Sequence, residues 1–286
     1  MARVAGPSAT LLVDEKPVEA LVSPRLEGGP LVAGDRVEVR RADATLVVTG
    51  ILPRATILQR GTRRGPRPIV ANADLLVVVA AATEPPPRPR LVDRYLVAAS
   101  MGGLEAAIVF TKVDLPHDEE GLGQLVERYR AATYPVLAGS AKDPALARAL
   151  TELIGGRVAA LAGPSGTGKS TLTRALTGME RAVGEVSAKA GTGRHTTTDP
   201  RLIPMPGGGA VIDTAGVRTF FVPPLDQPQL EAAFPEIAAA GPDCRFSGCR
   251  HVGEAGCAVA ARVSPARLES YRRLIDATTG RPPAAA

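Results

Sequence analysis

The stretch Gly163-Pro164-Ser165-Gly166-Thr167-Gly168-Lys169-Ser170 constrains this chain more than any other. It follows the apolar run Val158–Ala162 and leads into a helix-compatible segment that starts at Ser170 and Thr171 and reaches Leu176. G-x-x-x-x-G-K-[ST] between a strand and a helix demands a backbone wrapped around an anion. The glycines let successive N–H groups point inward, and the helix N-terminus adds a partial positive charge. Lys169 would reach the β- and γ-phosphates of a nucleotide, and the Ser170 hydroxyl would ligate Mg²⁺. A chance glycine-rich turn is the plainer alternative, and the strand and helix on either side weigh against it.

Around this loop, apolar runs alternate with amphipathic segments. Leu75–Ala82, Ala106–Phe110, Val136–Ala138, Val158–Ala162 and Ala210–Ile212 read as strands. Between them, Leu91, Tyr95, Leu96 and Ala99, and then Leu122, Leu125, Val126 and Tyr129, recur at helical spacing. Continuous apolar strands separated by such helices imply an α/β fold with a parallel sheet covered on both faces. Residues 1–70 read differently. Val37 and Val39 alternate with charges, Thr45–Thr49 ends at Gly50, and Gly28-Gly29-Pro30 and Gly34-Asp35 mark turns. Short strands at this spacing predict a small β-barrel, of oligonucleotide-binding (OB) type. After Phe221 the chain is Pro-rich and then helical, so the expected units are 1–70, 71–222 and 223–286.

Charge separates these units too. The 286 residues carry a net charge of +5, and residues 1–70 supply most of it, with 11 Lys/Arg against 7 Asp/Glu. Eight arginines lie between Arg36 and Arg67. A localised basic excess fits a partner with a phosphate backbone, the alternative being an arginine-rich solvated surface. No apolar run reaches the roughly 18 residues that span a bilayer, and the start Met1-Ala2-Arg3-Val4 lacks a signal peptide's apolar stretch. The expectation is a soluble, cytoplasmic protein without a membrane partner, monomeric by default.

Two further elements bear on nucleotide choice. Thr111-Lys112-Val113-Asp114 ends the strand Ala106–Phe110 and resembles the [N/T]-K-x-D element of GTPases. Asp114 can accept from guanine N1–H and the exocyclic amine, donors adenine does not present there, while the Lys112 stem covers base and ribose. Thr stands at 111 where Asn is usual, so the side-chain bridge to the phosphate loop is an open point. Gly139-Ser140-Ala141-Lys142 resembles the partner loop, Ser140 and Ala141 offering backbone N–H groups to guanine O6. Asp213-Thr214-Ala215-Gly216 resembles D-x-x-G, with Asp213 holding Mg²⁺ through water and the Gly216 N–H sensing the γ-phosphate. Between them, Gly191-Thr192-Gly193-Arg194-His195-Thr196-Thr197-Thr198 offers a switch hydroxyl to Mg²⁺, from Thr197 first and Thr198 second; a Thr-rich surface turn is the alternative. Val217 follows D-x-x-G and cannot orient a water, which leaves His195 as the candidate catalytic group beside Lys169 and Thr197. A contact to RNA, or a role in shaping the loop, is the other reading of His195. The base elements precede the phosphate loop, the reverse of the usual order, as one cut and rejoin of the chain would produce.

Cys244-x4-Cys249-x-His251-x5-Cys257 contains every cysteine of the chain. Three thiolates and an imidazole at this spacing suit one closed tetrahedral Zn²⁺ site of structural type. Buried thiols beside an unrelated His are the alternative. Together, the basic β-rich N-terminus, T-K-V-D ahead of G-P-S-G-T-G-K-S, G-R-H-T-T-T, D-T-A-G-V and this cysteine spacing resemble the ribosome small-subunit-dependent GTPase A (RsgA) family, from Ile51-Leu52-Pro53-Arg54 to the helix after Cys257. The resemblance implies a circularly permuted P-loop GTPase fold with an N-terminal OB barrel and a C-terminal zinc segment. It also implies GTP hydrolysis in late assembly of the small (30S) ribosomal subunit, with rRNA, GTP and GDP as partners and catalysis by His195. A P-loop ATPase or kinase, and an RNA-binding module with a structural nucleotide, are the rival readings.

Overall fold

The computed structural model describes residues 1–14, 16–178, 200–214 and 220–278. The N-terminal strands are β1 (Arg3–Ala5), β2 (Ser8–Val13), β3 (Lys16–Glu27), β4 (Val37–Ala42) and β5 (Thr45–Ile51). They form one sheet in the order β1-β2-β3-β5-β4, antiparallel except for the parallel pair β3–β5. Alternation along β2 turns Ala9 and Leu11 inward onto Ala20 and Val48. Met1 and Val37, at opposite ends of the ladder, pack on that same core. Among the described residues the pairing does not join β1 to β4. The ladder is thus a five-stranded sheet in which β1 has only three residues, all paired to β2.

A separate hairpin follows, β6 (Ile57–Thr62) with β7 (Gly65–Ala71). Its Leu58 and Val70 are buried in the same cluster as Leu76, Tyr95 and Phe110, so the hairpin seats on the next layer of the molecule. The turn before β4 lies against it. Asp35 takes a two-point contact from Arg54, at 2.7 and 2.9 Å. Gly34 has φ +91°, and a side chain there would begin 1.8 Å from the Ala71 carbonyl oxygen, so only glycine fits.

The central layer runs β8 (Leu75–Ala81), α1 (Pro89–Met101), β9 (Glu105–Thr111), α2 (Glu119–Ala131), β10 (Val136–Ala138), α3 (Pro144–Ile154), β11 (Val158–Ala162), α4 (Lys169–Thr177), β12 (Arg201–Pro204) and β13 (Ala210–Asp213). Its six-stranded sheet has the order β10-β9-β8-β11-β13-β12, parallel except for β12. All seven residues of β8 are buried, and they alternate between two cores. Leu76 and Val78 pack with Tyr95 and Leu96, while Leu75, Val77 and Val79 pack with Leu146, Leu150 and Leu172. Helices thus cover both faces, as the apolar runs require. β12 lay outside the sequence pattern because, as an antiparallel edge strand, only half of its surface needs apolar residues.

The C-terminal part holds α5 (Gln227–Ala232), α6 (Pro235–Ala240), α7 (Ala258–Arg262) and α8 (Pro265–Thr278) around Leu230, Phe234, Ile237, Val259, Tyr271 and Ile275, with Val97 of α1 joining this core. α5 starts at a capping box in which Asp226 and Gln229 satisfy each other's backbone N–H groups. No helix among the described residues is long and apolar enough to cross a membrane.

Candidate functional site

In a parallel sheet every strand points the same way, so the loops after β8, β9, β10, β11 and β13 emerge along one edge. That edge of an open α/β sheet is where ligands bind. The order in the chain is irrelevant to this convergence. Residues 111–114, 139–142, 163–170 and 213–214 meet there although they come from four separate stretches of sequence.

The loop 163–170 turns between β11 and α4 through three glycines with positive φ: Gly163 (+150°), Gly166 (+84°) and Gly168 (+84°). A side chain on Gly163 would start 2.1 Å from the carbonyl oxygen of Val79 in the neighbouring strand. Gly163→Ala must therefore push β8 and β11 apart, and we expect it to lower unfolding free energy by about 2–4 kcal/mol. Urea unfolding of the variant measures this, and an unchanged midpoint would contradict the packing described. The Thr167 hydroxyl donates to Pro164 O at 3.0 Å. Lys169 Nζ donates to Gly163 O at 2.9 Å and Pro164 O at 2.6 Å, so its ammonium lies over the concave side of its own loop. Ser170 and Thr171 follow in the first turn of α4, both half-buried.

Thr111 resolves the question of the bridge. Its hydroxyl is buried and lies 2.7 Å from Thr167 O in the phosphate-type loop and 3.2 Å from Ala80 O at the end of β8. The shorter bond links the two loops across 56 residues of sequence. Thr is short enough to need close approach, and that approach is present: a side chain on Gly168 would sit 3.6 Å from Thr111 Oγ1 and 3.4 Å from the Ala141 methyl. Ala141 is buried at this junction, and the Ser140 hydroxyl accepts from Lys142 N at 3.3 Å. Asp143 then caps α3 through Ala145 N. Lys112 adopts φ +62° and donates to Glu84 O, while Val113 packs on the core and Asp114 is exposed beyond them. Asp213 is buried at the end of β13, in register with Leu161, and Thr214 Oγ1 donates to Leu161 O at 2.7 Å. His195, Thr197, Thr198, Gly216 and Val217 lie outside the described residues.

The loop after β8 was not among the expected site residues. Pro85 borders Gly166, with Cδ 3.6 Å from where a side chain would begin, and Glu84 O holds Lys112. Its available signal was position alone: Pro85–Pro87 ends the strand next to β11, so it must border the loop 163–170.

The second constellation is the Cys/His cluster. The sulfurs of Cys244, Cys249 and Cys257 and a ring nitrogen of His251 all lie within 4.8 Å of one another, an arrangement that could hold one metal ion. His251 Nδ1 faces the sulfurs of Cys244 at 3.7 Å and Cys257 at 3.5 Å. Its Nε2 is 3.4 Å from Glu231, which also accepts from Gln227 at 2.6 Å. A carboxylate on the far ring nitrogen fixes the tautomer that leaves Nδ1 free to ligate. Arg272 Nε donates to His251 O at 2.7 Å and Gln227 to Cys249 O at 2.8 Å, so α8 and α5 carry the loop.

Residues 51–223, more than half of the chain, match the family model described as RsgA GTPase. A protein of Gemmatimonas aurantiaca named small ribosomal subunit biogenesis GTPase RsgA is 41% identical over 88% of this chain and 85% of its own length. The protein of that name from Chlorobaculum tepidum is 41% identical over 87% of this chain and 86% of its own. Among solved structures, YjeQ from Thermotoga maritima superposes with a TM-score of 0.73 at 26% identity, covering 98% of both chains. YloQ, titled a circularly permuted GTPase, shares the fold with a TM-score of 0.71 at 24% identity, over 99% of this chain and 95% of its own.

Proposed function

Because the chain belongs to the RsgA GTPase family, we propose that it binds GTP with Mg²⁺ at the sheet edge, hydrolyses it, and acts in biogenesis of the small ribosomal subunit. The observation that carries this reading is the Thr111–Thr167 bond, since it holds a base-reading segment against a phosphate-reading loop. The separation suits a purine nucleoside triphosphate lying across both.

Each residue then has a task. The N–H groups of Gly163 and of Ser165 to Thr171 surround the phosphates, with Pro164, which has no N–H, contributing only its rigid turn. Lys169 needs only a side-chain rotation to exchange loop carbonyls for phosphate oxygens. Ser170, Asp213 and Thr197 are the oxygen donors suited to Mg²⁺, which offsets phosphate charge when bound. Gly216 N–H senses the γ-phosphate. Asp114 pairs with guanine, Lys112 and Val113 flank the base, and Ser140 and Ala141 meet its carbonyl. His195 is assigned the water-orienting role that Val217 cannot fill.

The four donors of the cysteine cluster fit Zn²⁺. With Zn–S near 2.3 Å and Zn–N near 2.0–2.1 Å, a tetrahedron puts sulfur and nitrogen about 3.6 Å apart. The separations here are 3.7 and 3.5 Å. All four positions are filled by protein, so the metal is structural. Residues 1–70 carry the basic surface for rRNA, 71–222 the GTP site and 223–286 the metal, in a cytoplasmic monomer.

Turnover of GTP with and without purified small subunits tests the reading. Slow intrinsic turnover and marked stimulation are expected. His195→Ala should abolish the stimulated part while GTP binding persists. Equal turnover with and without subunits would overturn the ribosomal assignment.

A further inference from the structure

We propose that Glu254, which is not among the four metal donors, is the positioning residue of the Cys/His cluster and acts through the backbone of His251. The proposal rests on the reading that this cluster holds Zn²⁺, and adds to it what sets the affinity of the site.

Three observations converge. First, His251 has φ +60°. That is the left-handed region, costly for any residue with a side chain, although histidine enters it more readily than most. In this conformation its Nδ1 faces the sulfurs of Cys244 and Cys257, at 3.7 and 3.5 Å. Second, regular structure stops at Asp243 and resumes at Ala258. No helical or sheet ladder therefore enforces the backbone angles at 251. Third, one carboxylate holds the chain on both sides of the ligand. Glu254 Oε1 accepts from Arg250 N at 2.9 Å, and Oε2 accepts from Val252 N at 2.8 Å and Gly253 N at 3.1 Å. Arg250 and Val252 are the residues that flank His251 in the sequence. The Glu254 carbonyl also accepts from Cys257 N at 3.2 Å, which ties the next donor to the same residue.

An ionised carboxylate is acceptor-only, with two oxygens, and its bonds to N–H groups are stronger than neutral ones. Neighbouring backbone N–H groups turned onto one anion form a nest, closed here by an anion from the same chain. Without that anion the backbone at 251 relaxes toward negative φ, and the ring moves off the sulfurs. Metal binding must then restore the strained turn, and that cost is subtracted from the affinity. Glu231 orients the His251 ring from Nε2. Glu254 fixes the backbone that carries the ring, so the two carboxylates control different degrees of freedom of one donor. A general stabilisation of the loop is the plainer role for Glu254, and it would act on the three sulfurs as much as on the imidazole.

The test is zinc retention by the full, zinc-loaded chain against rising concentrations of a chromogenic chelator. Glu254→Ala should weaken zinc binding by about 10- to 100-fold. Glu254→Gln should fall between it and the wild type, because the amide keeps one acceptor oxygen. In a His251→Ala background, Glu254→Ala should weaken zinc binding by no more than about twofold further, since the donor it acts through is gone. Asp118→Ala removes the side-chain cap of α2 at Gly121 N, outside the cluster, and should leave zinc affinity unchanged. Far-UV circular dichroism compares the folding of the set, and Glu254→Gln carries the comparison if Glu254→Ala does not fold. Zinc retention equal to wild type in the Glu254 variants would overturn the proposal. So would an equal loss in Asp118→Ala, or an undiminished loss in the His251→Ala background, which would make Glu254 a general support of the loop. A wild-type chain that holds no zinc ends the metal reading and the proposal together.

Discussion

Arg267→Ala should lower the unfolding free energy by about 3–5 kcal/mol, the cost of leaving a buried charge without its partner. Arg267 is 2% exposed and reaches from α8 to Asp93 on α1, itself 3% exposed, with Nη1–Oδ1 at 2.5 Å. Its Nε contacts Glu236 of α6 at 2.5 Å, and its guanidinium lies 4.3 Å from the Phe234 ring centre. Burial by itself would lower the guanidinium pKa, but the facing carboxylates of Asp93 and Glu236 reverse this and raise it above the ordinary arginine value. The charge is therefore present at every pH at which the protein is handled. Truncation leaves Asp93 with one remaining side-chain donor, the Tyr129 hydroxyl at 3.1 Å. Arg267→Lys should recover little, because a point charge cannot make the two-sided contact of the planar fork. Combining Arg267→Met with Asp93→Asn and Glu236→Gln should be milder than either Arg267→Ala or Asp93→Asn alone, since no ion is then stranded. Urea unfolding of this set measures the effect. A loss under about 1 kcal/mol in Arg267→Ala would show that the three-way contact does not join the C-terminal helices to the central layer.

Asp114→Asn should weaken GTP binding by about 10²–10⁴-fold and remove the preference for guanine over adenine. The carboxylate is acceptor-only, matching two donors on the guanine edge, whereas an amide offers one acceptor and one donor. The same logic predicts a gain for xanthosine triphosphate, whose 2-oxo group accepts where guanine donates. Calorimetry with GTP, ATP and xanthosine triphosphate reads both effects on one protein. Unchanged selectivity would place base recognition elsewhere and favour a P-loop ATPase or kinase. Thr111 makes the prediction sharp, because its bond to Thr167 O ties the segment carrying Asp114 to the loop carrying Lys169. The lever from base to phosphate is then a short, buried hydroxyl.

How far the chain could be read without coordinates depends on how local each requirement is. The loop 163–170 was legible because its glycines answer to backbone angles within eight residues. The Cys/His cluster was legible because its four side chains fall between Cys244 and Cys257. The doubly covered sheet followed from β8, where seven consecutive apolar residues admit no solvent face. The N-terminal strands were legible as strands, but their order β1-β2-β3-β5-β4 was not, because alternation within a strand carries no information about its neighbours.

The tertiary structure alone decided the contacts between distant stretches. Thr111 with Thr167, Arg267 with Asp93 across 174 residues, and Phe221 beside Gly61 have no pattern to betray them. A backbone conformation or a metal-ligand spacing is written in neighbouring residues, since short-range sterics and valence geometry enforce it. A partner brought near by folding is selected by packing of the whole, so its identity appears only once the layers are in place.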